Sequence, residues 1–65
     1  MTITANVQNL PVGTVEQHLA KNNGVVWLTA TPYQGELWYY GLWYTEADAT
    51  TVAKAEDLVV LKVEG

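Results

Sequence analysis

Apolar and polar residues alternate from Thr2 to Val7, with Ile3, Ala5 and Val7 on one side and Thr2, Thr4 and Asn6 on the other. A period of two belongs to a half-buried strand, so the first element is predicted here. Asn9-Leu10-Pro11-Val12-Gly13 interrupts the pattern. Beyond it, Thr14 and Gln17 stand three residues apart, the spacing at which each side chain satisfies the other's free backbone N–H at a helix start. Val15 and Leu19 fall on one helical face and Asn22-Asn23-Gly24 supplies a stop, which predicts a short helix over Val15–Asn22. Two turns are marginal without tertiary support.

Val25–Thr31 and Glu36–Tyr44 are rich in β-branched and aromatic residues, and two more strands are predicted there. Between them, Pro32-Tyr33-Gln34-Gly35 supplies a preset φ and a glycine able to take φ > 0, as a hairpin needs. Thr45 then reads as a helix cap, with Glu46 and Asp48 in the first turn, where acids suit the positive end of the dipole. Ala49, Val52 and Ala53 form a narrow stripe of small residues that lets this helix lie close to a sheet. Leu58–Glu64 is the last predicted strand, with Val59, Leu61 and Val63 inward and Lys62 and Glu64 outward. The βαββαβ order predicts a single domain, 1–65, of the α+β class. The expected architecture is a two-layer sandwich with one or two short helices on one face of an antiparallel sheet, in the ferredoxin-like order. A small β-barrel with one helical turn is the alternative.

A turn at Pro32–Gly35 pairs Thr31 with Glu36, Thr29 with Trp38 and Trp27 with Tyr40, and directly opposed residues share a face. One face then carries Val26, Leu28 and Ala30 with Leu37, Tyr39, Gly41 and Trp43, and it reads as core. The other carries Val25, Trp27, Thr29 and Thr31 with Glu36, Trp38, Tyr40, Leu42 and Tyr44. If helices cover only the first face, the second exposes its rings, and an exposed apolar patch of that kind marks an interface. Tyr and Trp suit the task because they bury much area while keeping a hydrogen-bonding tip. The expected partner-binding residues are therefore Trp27, Trp38, Tyr40, Tyr44 and Glu36. A one-residue slip in register, or closure into a barrel, would bury them instead.

Composition narrows the functional classes. At 65 residues the chain buries a thin core, and it has no cysteine to staple it. Self-association remains as a remedy. Seven acids face three lysines with no arginine. Nucleic-acid binding rests on basic groups that displace counterions, so neither DNA nor RNA is an expected partner. A neutral or basic protein surface, or a second copy, is. The N-terminal stretch has neither a basic region nor a continuous apolar run, and no apolar run nears the ~20 residues that span a bilayer, so a cytoplasmic protein without membrane contact is expected. His18 is the one histidine, and with no Ser or Cys only threonines stand as nucleophile candidates. Thr14, Glu46 and Asp48 are accounted for by helix capping. No catalytic residue, metal site or cofactor is expected.

Tyr33-Gln34-Gly35-Glu36 followed by Gly41-Leu42-Trp43-Tyr44 resembles the Y-x-x-G-(D/E)…G-x-x-Y pattern of small chitin-binding modules. The resemblance spans positions 33–44 and lacks that family's flanking tryptophans. The strand–strand–helix–strand layout from Val25 onward is similar to that of small phage-encoded inhibitors of host enzymes, in topology and size alone. The functional expectation is a small acidic, non-enzymatic protein-binding module of the regulator or inhibitor type, acting through an aromatic sheet face. Two alternatives are a viral or shell accessory protein that self-assembles, and a carbohydrate binder that stacks sugars on Trp27, Trp38 and Tyr40.

Overall fold

The computed structural model describes residues 1–65. Five strands and two helices follow in the order β1 (Thr2–Ile3), β2 (Val7–Gln8), α1 (Val12–Lys21), β3 (Val25–Tyr33), β4 (Glu36–Trp43), α2 (Glu46–Glu56) and β5 (Val59–Glu64). They form one sheet with the spatial order β1-β5-β3-β4-β2. The α+β class is as expected, but the arrangement differs from the expected sandwich in three ways.

The first difference is the fate of the N-terminal strand. Burial does alternate from Thr2 to Val7, with Ile3, Ala5 and Val7 half-buried and Thr2, Thr4 and Asn6 exposed. The chain bends at Thr4 and Ala5, however, and its two ends pair with different strands. Ile3 lies opposite Val63 in an antiparallel pair with β5, whereas Val7 lies opposite Leu37 in a parallel pair with β4. The sheet is therefore mixed rather than antiparallel, and the ferredoxin-like order is replaced by one in which β5 pairs with β3.

Chain length then forces the sheet to curl. Val63 is level with Val26 of β3, and Leu37 is level with Pro32. In a flat sheet, four strand spacings of ~4.8 Å and six residues of offset at ~3.3 Å would separate Ile3 from Val7 by roughly 27 Å. The four residue steps from Ile3 to Val7 reach at most ~14 Å. The edges must bend toward one another, giving a half-barrel that the N-terminal segment straps across.

The second difference concerns the layers. Both helices pack on β3. Leu28 and Thr29 are adjacent, so they point to opposite faces, yet both are fully buried. One face is covered by α1, whose Val15 and Leu19 join Val26, Leu28 and Val63 in the main core, flanked by Ile3, Val7, Leu10, Tyr39, Leu42 and Leu61. The other is covered by α2, whose Ala49 and Ala53 are buried outside that cluster. The expectation of helices on one face only is thus corrected to a sheet with one helix on each side. The small-residue stripe of α2 explains how a helix fits against strands that carry tryptophans.

The third difference lies in α1, which starts at Val12 and not at Val15. Pro11 occupies its N-cap, and no side chain caps it, so the Thr14–Gln17 box is not used. Proline has no N–H to satisfy and its restricted φ favours entry into a helix, which lets the helix begin a turn earlier. His18 Nδ1 instead donates to the Thr14 carbonyl oxygen at 2.8 Å. The stop is where the sequence places it: Asn23 and Gly24 take positive φ and the Gly24 N–H returns to the Leu19 carbonyl at 2.8 Å. For α2, Thr45 Oγ1 accepts from the Asp48 N–H at 3.2 Å, as the sequence predicts.

Candidate partner-binding surface

The β3–β4 hairpin sets where each aromatic residue points. Its loop is two residues long: Tyr33 faces Glu36, and Gln34 (φ 52°) and Gly35 (φ 79°) both lie in the left-handed region. That is a type I′ turn, whose twist matches that of the flanking strands. The expected four-residue turn, which paired Thr31 with Glu36, is corrected by two positions: Thr31 pairs with Trp38 and Ala30 with Tyr39. A shift of two preserves the faces, so Glu36 and Trp38 stay on the Thr29–Thr31 side.

Beyond Tyr39 the faces change. Tyr39 is opposite Ala30, but Gly41 is opposite Thr29, so Tyr40 is an extra residue without a partner, a β-bulge. Each residue after it swaps sides relative to the expected register. Leu42 now faces Leu28 and joins the α1 side, while Trp43 faces Trp27 on the α2 side. Trp27, Trp38 and Trp43 therefore share one face of the sheet, and the assignment of Gly41 and Trp43 to the main core is overturned.

Gly41 is what makes room for this. A Cβ there would meet Trp43 Cζ2 at 2.9 Å and Thr29 Oγ1 at 3.2 Å, so the indole lies against the bare backbone. Trp43 Nε1 donates to Thr29 Oγ1 at 2.9 Å, and that hydroxyl donates to the Gly41 carbonyl at 3.3 Å. The buried threonine is satisfied by the ring that covers it. Trp38 is different: its Nε1 is buried and has no partner.

Tyr44 goes to the opposite side. Its ring stacks on His18 of α1 with centroids 5.1 Å apart, and Asn22 Nδ2 donates to the Val25 and Tyr44 carbonyls at 2.7 and 2.8 Å. Of the residues expected to bind a partner, Glu36, Tyr40 and Tyr44 are exposed and Trp27 and Trp38 are half-buried. Trp27, Trp38 and Glu36 lie on the α2 side, Tyr40 stands at the bulge, and Tyr44 belongs to the α1 side.

One exposed aromatic is missing from the set that the sequence suggests. Tyr33 is 60% exposed, more than Tyr40 at 47% or Tyr44 at 42%. Its signal was present, since Gln-Gly is a workable two-residue loop and places Tyr33 on a strand rather than in the turn. The hairpin end is also free of the neighbouring strand: β5 pairs with β3 only as far as Ala30, leaving Thr31, Pro32 and Tyr33 beyond it. Pro32, which has no N–H to give to a ladder, sits where no strand lies on that side. The result is a projecting hairpin end carrying Tyr33, Gln34, Gly35 and Glu36, with Tyr40 farther along β4. The surface has no ligand-sized cavity, and no three His, Asp or Glu side chains converge. No family model, curated protein or solved structure matches the chain.

Proposed function

We propose that the protein is a small acidic, non-enzymatic binding module, of the regulator or inhibitor type, that engages another protein through the aromatic surface of the β3–β4 hairpin. Tyr33 and Tyr40 are the anchors, with Glu36 beside Tyr33. Exposure of Tyr33 on the projecting hairpin end and of Tyr40 at the bulge carries the reading. A type I′ turn holds the strands in one geometry, so little freedom is lost on docking. Tyrosine buries a large ring at low rotamer cost and offers its hydroxyl to the partner. With a net charge of −4 the complementary surface is neutral or basic.

The test is a quantitative pull-down from source-cell lysate with the wild-type chain and with Tyr33→Ala/Tyr40→Ala. Truncating two anchors is expected to weaken capture by about 2 kcal/mol or more, roughly 30-fold, with the circular-dichroism spectrum unchanged. Equal capture by a well-folded double variant would refute the assignment of the surface.

A further inference from the structure

The N-terminal strap is the one element bonded to both edges of the sheet, and it holds each by a short contact. Thr2 and Ile3 pair with Glu64 and Val63, and Val7 and Gln8 pair with Leu37 and Trp38. Only Thr4, Ala5 and Asn6 connect the two contacts. Given the reach of those residues, this connection fits only because the sheet is curled. Short connections under such constraint favour exchange of the flanking element between copies, because the native contacts are kept while the constraint is released. The outer edge of β5 is covered by the two residues of β1 alone, so exchange requires only that this short strand leave it for the same strand of another copy.

We infer that β1 is an exchangeable strand and that two copies of the chain form a symmetric dimer by swapping it. In the dimer, β1 of each copy lies on β5 of the other, with Ile3 opposite Val63 as in the single chain. β2 stays on its own β4, and Thr4–Asn6 extends between the molecules instead of crossing one of them. The interface is isologous, since each copy gives and receives the same strand. It leaves the Tyr33–Tyr40 surface free, so it is independent of the function proposed above.

The chain has no cysteine, which permits a clean test. Thr2 and Glu64 are exposed Cα partners, and antiparallel partners lie within disulfide range. Thr2→Cys/Glu64→Cys is unfolded, refolded at low and at about a hundredfold higher protein concentration, oxidised, and run on a denaturing gel without reductant. The expected result is a disulfide within one chain at low concentration and a covalent dimer that grows with concentration by mass action. A Gly-Ser-Gly-Ser insertion after Ala5 relaxes the connection and should abolish the covalent dimer. Monomeric disulfide at both concentrations would overturn the inference. So would a covalent dimer undiminished by the insertion, or a native dimer that falls to disulfide-closed monomers in denaturant.

Discussion

Gly41, Trp43 and Thr29 form a unit in which each residue explains the other two. The ring needs a position without Cβ, the threonine hydroxyl needs the indole N–H, and the glycine carbonyl takes the hydroxyl proton. Gly41→Ala pushes a Cβ into the ring and is expected to cost about 1–3 kcal/mol, as overpacking does. In a Trp43→Leu background the same change should cost clearly less, and a double-mutant cycle by urea unfolding measures that coupling. Trp38 and Trp43 should respond differently to loss of the indole N–H. Trp38→Phe removes a buried N–H that has no partner, so stability should hold or rise by up to about 1 kcal/mol. Trp43→Phe removes a donor that Thr29 uses, and about 1 kcal/mol should be lost. A similar distinction applies at the turn. Both Gln34 and Gly35 have positive φ, so the turn constrains both positions. Gln34→Asn should stabilise, since asparagine tolerates that region better, whereas Gly35→Val should destabilise by about 1–2 kcal/mol.

The two helices differ in how their starts are secured. α2 has a side-chain cap, and Thr45→Ala should cost about 1 kcal/mol, whereas Thr14→Ala should be close to neutral because Thr14 sits inside α1 and caps nothing. Thermal unfolding of the two variants compares them directly. This contrast also shows which parts of the fold were legible in the sequence. The Thr45 cap, the hairpin strands and the inward set Val59, Leu61 and Val63 are local signals, written by chemistry within a few residues. The Thr14–Gln17 spacing was equally good locally, but Pro11 offered an earlier start and the helix took it. The bulge at Tyr40 was not legible, because a bulge changes no residue type and only shifts the parity of the residues beyond it. The site obeyed the same rule. Glu36 and Trp38, before the bulge, share the face expected of them, whereas Tyr44, after it, lies with His18. The alternation in Thr2–Val7 gave the correct inward set but not the bend, since nothing in it encodes which strand each half will meet.

At the scale of the molecule, only 9 of 65 residues are buried, so few contacts can be lost without unfolding it. Burial is concentrated on the Val26–Ala30 part of β3, and the exposed rings of Tyr33, Tyr40 and Tyr44 lie outside that part. For a basic partner surface, raising salt from about 0.05 M to about 0.5 M should slow association far more than it speeds dissociation, as stopped-flow mixing can measure. The bulge divides the aromatic stretch, with Trp43 turned into the α2 side and Tyr40 left in solvent. The most direct test of that division is the melting temperature of Trp43→Ala and Tyr40→Ala, measured side by side. Removing the packed indole is expected to cost about 3 kcal/mol or more, which lowers the midpoint by well over ~10 °C or abolishes folding. Removing the exposed ring should move it by no more than ~4 °C, the effect of a surface change within about 0.5 kcal/mol. Comparable losses from both variants, or a larger loss from Tyr40→Ala, would contradict the division.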